Sequence, residues 1–310
     1  MRIAYLVVTH KNPRLLEKTI HVLSSEDTAF FIHVDKKSDL RDFSNVHGGN
    51  VFFSDTRVPV YWGEFSVVRA TLLLLRRAFQ SSESYDYFLL LNGSEYPLRS
   101  RHYIHTYLGA NRGFEFMNLA RVPAPGKPLS RVSTIRYESD KPVRRFVSRA
   151  LAKVGMAQRN FQKYLGNLEP YSGRMCWALT RDACEFILDF IDQNPHVQQF
   201  YANTLAPDED FFQTILGNSK FGQRARGNLH FEDWSVPGPH PAVINEGHIA
   251  LFRSREKVFD GGGLQGSVEC LFARKFSDQG LHLVEVVDEM ISQKEGCIQL
   301  RIGRDKTNIE

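Results

Sequence analysis

The sequence predicts an α/β fold with a mostly parallel central sheet flanked by helices, on three observations. Ile3 to Val8 and Tyr87 to Leu91 are short continuous apolar runs and Phe30 to Val34 is interrupted only by His33, the pattern of parallel strands covered on both faces. Segments with helical apolar spacing alternate with them, as in a sheet joined by crossover helices. Polar residues capable of chemistry follow the runs directly, where open α/β sheets bind their ligands.

The elements follow in order. After the first run, Asn12 is placed to cap a helix and Pro13 to open it, with Leu15, Leu16, Ile20 and Leu23 at helical spacing. Val51 to Phe53 reads as a further strand and Glu64 to Phe79 as a leucine-rich helix. His10, Asp35 and Asn92-Gly93-Ser94-Glu95 fall at strand ends. From Val122 to Leu168 the composition changes: Pro123, Pro125 and Pro128 precede Lys141, Arg144, Arg145, Arg149, Lys153, Arg159 and Lys163. Val143, Phe146, Val147, Ala150, Leu151 and Val154 form an apolar stripe among those charges, so a basic amphipathic helix is predicted. Such a helix lies on an anionic membrane surface or packs on its own domain. Arg181 to Asn194 and Glu209 to Gly217 read as helices ended by Pro195 and Gly217. Asp260-Gly261-Gly262-Gly263 reads as a hinge, and Val268 to Phe276 as an apolar run ending in Arg274 and Lys275.

Composition narrows the function. With 310 residues, 42% of them hydrophobic, the chain is long enough to bury a large core. Lys and Arg number 39 against 35 Asp and Glu, too even a balance for a dedicated nucleic-acid binder. The first residues lack the features of a secretory signal, and no apolar run is long enough to cross a bilayer. A cytoplasmic protein is expected, with peripheral attachment to the inner membrane face through 141–163 where that helix is used so. Cys176, Cys184, Cys270 and Cys297 show neither zinc spacing nor disulfide density and are expected to be reduced thiols.

Asp208, Glu209 and Asp210 open a predicted helix, where acids offset the positive end of its dipole; the same position suits a carboxylate base. Asp208 and Asp210 spell Asp-x-Asp, yet the strand Tyr87–Leu91 is followed by Asn92-Gly93-Ser94-Glu95, with no acidic pair to hold a divalent metal. Arg274 and Lys275 are a basic pair of the kind that decorates surfaces or binds phosphate. No GxGxxG follows the first strand, so a dinucleotide-binding dehydrogenase is poorly supported.

AYLVVTHKNPRLL, IHVDKK, VYWGEFSVVRATLLLL, YDYFLLLNGSEYPLRS, APDEDFFQTILGNS and FARKF occur in an order that resembles the core-2/I-branching N-acetylglucosaminyltransferase and peptide O-xylosyltransferase family, over residues 3 to about 278. The resemblance implies a GT-A type nucleotide-sugar fold and a metal-independent, inverting transfer from a UDP-sugar to a hydroxyl of a glycan or lipid-linked saccharide. It implies one domain over 1–310: a nucleotide-binding half at 1–120, a basic helical insertion at 121–168, an acceptor and catalytic half at 169–280 and a tail at 281–310.

Carried residue by residue, the resemblance makes Glu209 the catalytic base. Arg274 and Lys275, with Arg253 as a weaker third, become the cations on the diphosphate. Asp35 becomes a nucleoside contact, with Val7 and His10 near the uracil. Trp62 and Gly63 mark a sugar pocket, Glu95 and Arg99 the acceptor side, and Asp233 lines the cleft beside a structural Trp234. Cys176-Trp177 stands where the xylosyl branch resembles an Asp-Trp pair, which puts xylose in doubt and favours GlcNAc as donor. The cysteine framework and membrane anchor of the secreted animal enzymes are missing, so a bacterial-type member is expected. The alternatives are a xylosyl- or other hexosyltransferase of the same mechanism and an inactive nucleotide-binding or membrane-associated assembly protein.

Overall fold

The computed structural model describes residues 1–136, 143, 146, 147, 150, 158–238, 240–259 and 265–307, with side chains to residue 295. A seven-stranded sheet runs in the order β10-β6-β9-β4-β1-β2-β3. Its strands are β1 (Ile3–Thr9), β2 (Thr28–Val34), β3 (Val51–Phe53), β4 (Tyr87–Leu91), β6 (Glu115–Phe116), β9 (Ala178–Thr180) and β10 (Ala225–Arg226). Pairing is parallel except at β9, which lies antiparallel to β4 and to β6. The mixed α/β architecture is the one the apolar runs predict. A small second sheet joins β11 (His230–Glu232), β12 (Phe272–Arg274) and β5 (Tyr96–Pro97), and β7 (Ala120–Arg121) pairs with β8 (Tyr171–Ser172).

Both faces of β1 are buried because its side chains alternate between two cores. Ala4, Leu6 and Val8 pack with Val68, Leu72 and Leu75 of α2 (Ser66–Phe79). Tyr5 and Val7 point the other way, against Leu16 and Ile20 of α1 (Pro13–Leu23) and Ile104 and Leu108 of α3 (Arg101–Ala110). Period-2 strand geometry thus turns one continuous apolar run into two packed faces.

Several elements differ from the sequence expectation for identifiable reasons. Asn12 has left-handed backbone and makes no cap with its side chain; the carboxylate of Asp278 caps α1 instead, accepting from the Leu15 amide at 2.8 Å. The predicted Glu209–Gly217 helix is split into a 3-10 turn at Pro207–Glu209 and an α-helix at Phe211–Gly217. Asp210 breaks it at φ −125, its carboxylate held by Arg131 at 3.2 Å, while the Glu209 carbonyl accepts from the Gly173 amide at 2.7 Å. Of the Val268–Phe276 run, only Phe272–Arg274 is strand.

The predicted hinge at 260–263 and most of the predicted basic helix lie outside the described residues. Val143, Phe146 and Val147 are helical and exposed. Arg159 does not belong to a membrane-facing stripe: its guanidinium lies 3.7 Å over the Phe200 ring and donates to the carbonyls of Val132 and Phe200. Among the described residues no helix is long and apolar enough to cross a membrane.

Candidate active site

The carboxyl ends of β1, β2 and β4 form one edge of the sheet. There the loop after β4 folds tightly onto β1. Gly93 has φ +71, and a Cβ on it would lie 2.4 Å from Thr9 Oγ1, so the approach admits glycine alone. Asn12, in the loop after β1, donates to Ser94 Oγ at 3.5 Å and accepts from the Asp278 amide at 3.4 Å. Segments 9–12, 92–95 and 274–278 are thereby tied together although they are distant in sequence.

Arg274 lies at the bottom of this junction with both terminal nitrogens engaged by the protein, while its buried Nε sits within ion-pair range of an acid without a hydrogen bond among the described residues. Its Nε is 3.2 Å from Glu95 Oε1, its Nη1 is 3.1 Å from Glu232 Oε1, and Nη1 also reaches Cys176 Sγ at 3.9 Å. With the Asn92 amide oriented to satisfy its neighbours, Nη2 donates to Asn92, which in turn donates to Glu95. Glu95 Oε2 accepts from the amides of Asn92 (2.7 Å) and Ser94 (3.2 Å). Burial opposes the charge on Arg274, but Cys176, Glu95 and Glu232 outweigh it and raise its pKa. Glu232 also accepts from Trp234 Nε1 at 2.9 Å and lies 3.5 Å from Arg174 Nε. Glu95 is therefore a buried brace for Arg274.

Lys275, the next residue, is placed differently. Its backbone accepts from the Ile244 amide at 2.9 Å, but among the described residues its ammonium has no hydrogen-bond or ion-pair partner. Burial, Arg274 and Lys11 push its pKa down to about 8. His10 and His240 are both held below the ordinary imidazole range by burial, with Lys11 and Lys275 adding to the effect in each. Glu95 and Glu232 offset this convergence of like charge only in part, and a net positive field is what an anion site requires.

Trp62 and Gly63 join this cationic region to the acidic turn. The Trp62 ring is 65% exposed and meets His240 edge-on at 5.6 Å. The Gly63 carbonyl accepts from the Ala206 amide at 3.0 Å, fixing the start of the turn that carries Glu209. Glu209 is 27% exposed at its side chain, and both its cationic partners reach Oε2: Lys127 Nζ at 2.5 Å and Arg131 Nη2 at 2.8 Å. Burial works against its ionisation, but Lys127 and Arg131 prevail and hold its carboxyl below the usual range. Asp208 is pushed up to about 7 by burial and by Glu209, and Asp210 to about 6 by burial despite Arg131. An Asp-x-Asp pair with one member ion-paired and the other favouring its proton is poorly arranged to hold a cation.

Of the remaining predicted residues, Asp35 lies at the same strand edge, its amide donating to the Thr9 carbonyl at 2.7 Å and its charge felt by His10. The Asp35 carboxylate is engaged by the Lys37 amide (2.9 Å), Lys37 Nζ (2.6 Å) and the Val60 amide (3.2 Å); burial opposes its charge, but these contacts lower its pKa. Val7 is part of the core. Arg99 is buried in an ion pair with Glu269 at 2.6 Å, away from the Arg274 cluster. Arg253 is exposed on the helix Glu246–Ser254 and enters none of the contacts described around Lys275. Asp233 accepts from the Ser235 amide at 2.8 Å and pairs with His248 at 3.0 Å. Trp234, expected as a structural tryptophan, is half exposed. Lys127, Arg131, Arg174 and Glu232 were not singled out by sequence reasoning; of these, only Lys127 follows a recognisable local signal, a Pro-Gly turn.

The strand ends thus carry a cationic cluster, and an exposed tryptophan and an acidic turn stand beside it. The model of the Core-2/I-Branching enzyme matches residues 3–253, and the chain belongs to that family of glycosyltransferases. It is 27% identical over 249 residues to Xylosyltransferase 2 of Homo sapiens and 26% over 251 residues to that of Rattus norvegicus, covering 76% of this chain and 27% of each relative. Against the Xylosyltransferase of Ciona intestinalis it is 25% identical over 303 residues, covering 90% of this chain and 32% of the relative. The chain thus matches about a quarter to a third of the length of these relatives. A solved 4-diphosphocytidyl-2C-methyl-D-erythritol synthase from Anaerococcus prevotii matches 62% of this chain and 74% of its own at 11% identity and a TM-score of 0.30, too slight to bear on function.

Proposed function

We propose that this chain transfers a sugar from a UDP-sugar to a hydroxyl of a glycan or lipid-linked saccharide, with inversion and without a metal. The observation that carries the reading is a Lys275 ammonium without a partner among the described residues together with a Glu209 held through one carboxylate oxygen. Lys275, supported by Lys11 and His240, holds the diphosphate; Arg274 sets the backbone that presents it. Glu209 takes the acceptor proton as the acceptor oxygen bonds to the anomeric carbon. The bond from that carbon to the β-phosphate oxygen breaks, UDP leaves with the electron pair, and the proton resides on Glu209. The exposed indole of Trp62 offers a face for the sugar ring between the two.

UDP-GlcNAc is the donor proposed. Cys176 fills the buried space beside Glu95 Oε1, to which its thiol donates at 3.6 Å, where the xylosyl branch resembles an acid. Transfer from UDP-xylose is the second reading, favoured by the names of the relatives. The test is UDP release from UDP-GlcNAc, UDP-xylose, UDP-galactose and UDP-glucose with excess chelator. Chelator-resistant turnover of UDP-GlcNAc is expected. Preference for UDP-xylose would select the second reading, and turnover abolished by chelator would contradict the metal-free mechanism.

A further inference from the structure

Ala124-Pro125-Gly126-Lys127 forms a tight turn in which Ala124 and Lys127 exchange backbone hydrogen bonds at 2.9 and 2.8 Å, with Gly126 at φ 70. Proline at the second position and a positive-φ glycine at the third are what a type II turn requires. The turn delivers Lys127 into a closed ring. Its ammonium donates to Glu209 Oε2 at 2.5 Å and to the Gly173 carbonyl at 2.8 Å, while the Gly173 amide donates to the Glu209 carbonyl at 2.7 Å. Only glycine fits at position 173 in this ring, because a Cβ there would lie 2.1 Å from the Asn118 carbonyl oxygen.

We propose that Lys127 is a positioning residue for the base, gripping Oε2 so that Oε1 is the oxygen presented to the acceptor hydroxyl. The inference rests on the reading of Glu209 as that base. Both cations bind the same carboxylate oxygen, and no partner of Oε1 is found among the described residues. Arg131 is less free to serve, since it also holds buried Asp210 at 3.2 Å and reaches the Ala206 carbonyl at 3.4 Å. Lys127 is partly exposed, and its loss leaves Arg131 paired with Glu209, so the carboxylate keeps a cation. The charged groups bearing on Glu209 are Lys127 and Arg131 from the insertion and Asp208 and Asp210 on its own turn.

The experiment compares Lys127→Ala, Lys127→Arg and Glu209→Gln in kcat, KM and the pH profile of kcat/KM. Lys127→Ala is expected to lose about 10–100-fold in kcat through misalignment of the base, with donor KM little changed. Its acid limb moves to higher pH, because the carboxylate loses a cation that favours its ionised form. Lys127→Arg restores most of both. An unchanged kcat and acid limb in Lys127→Ala overturn the proposal, as does a defect confined to acceptor KM, which would make Lys127 a binding group. Turnover retained by Glu209→Gln would show instead that the assignment of the base has failed.

Discussion

The cluster around Arg274 and the cluster around Glu209 use the same side-chain chemistry in different settings. Around Arg274, Glu95 and Glu232 have side chains 0% and 2% exposed, and both terminal nitrogens of the guanidinium are engaged by protein atoms. Around Glu209, the carboxylate is 27% exposed and both cations crowd one oxygen. The first arrangement spends its charge on the fold, and the second keeps an oxygen in reserve. A charged residue in a cleft is therefore better judged by which of its donors or acceptors remain unspent than by its presence there.

The largest stability effect that would break this contrast is at Arg274. Replacing it with Ala removes the cation from buried Glu95 and leaves Glu232 only Arg174 at 3.5 Å, a loss of about 3–5 kcal/mol. A clear fall in Tm is expected; an unchanged Tm with weakened UDP binding would return Arg274 to the diphosphate. Lys275→Ala should do the reverse, keeping Tm while weakening UDP about 10–100-fold, the range for a charge-assisted contact of roughly 1.5–3 kcal/mol. The same ammonium sets a smaller, graded effect of pH. Its pKa of about 8 in the free protein is depressed, and a bound diphosphate raises it, so binding takes up a proton as pH passes above 8. UDP affinity should be full below that value and decline above it, and Lys275→Ala should flatten the dependence in a calorimetric titration.

The two clusters also differ in how much of them the sequence discloses. β1, β2, β4, α1 and α2 were legible because apolar runs and helical spacing are local signals. Lys275 stood out as a basic residue closing such a run. The partners of Glu209 did not: Lys127 and Arg131 lie 82 and 78 positions away, and neither sits in an acid-base pattern near it. The Pro-Gly turn that presents Lys127 was visible, but its destination depends on the tertiary path of the insertion. The resemblance of FARKF makes Arg274 a phosphate ligand, whereas the convergence of Glu95 and Glu232 upon it has no local signal. Arg99 shows the same limit, since its partner Glu269 is 170 positions distant.

The central claim is that Glu209 is the base and Lys275 an independent diphosphate contact. The most direct test is the turnover number of Glu209→Gln at saturating donor, with UDP affinity measured on the same preparation. A fall of about 10²–10⁴-fold, the usual contribution of a positioned proton acceptor, with UDP affinity within a few-fold of the wild type, is the predicted result. Turnover within a few-fold of the wild type would contradict it.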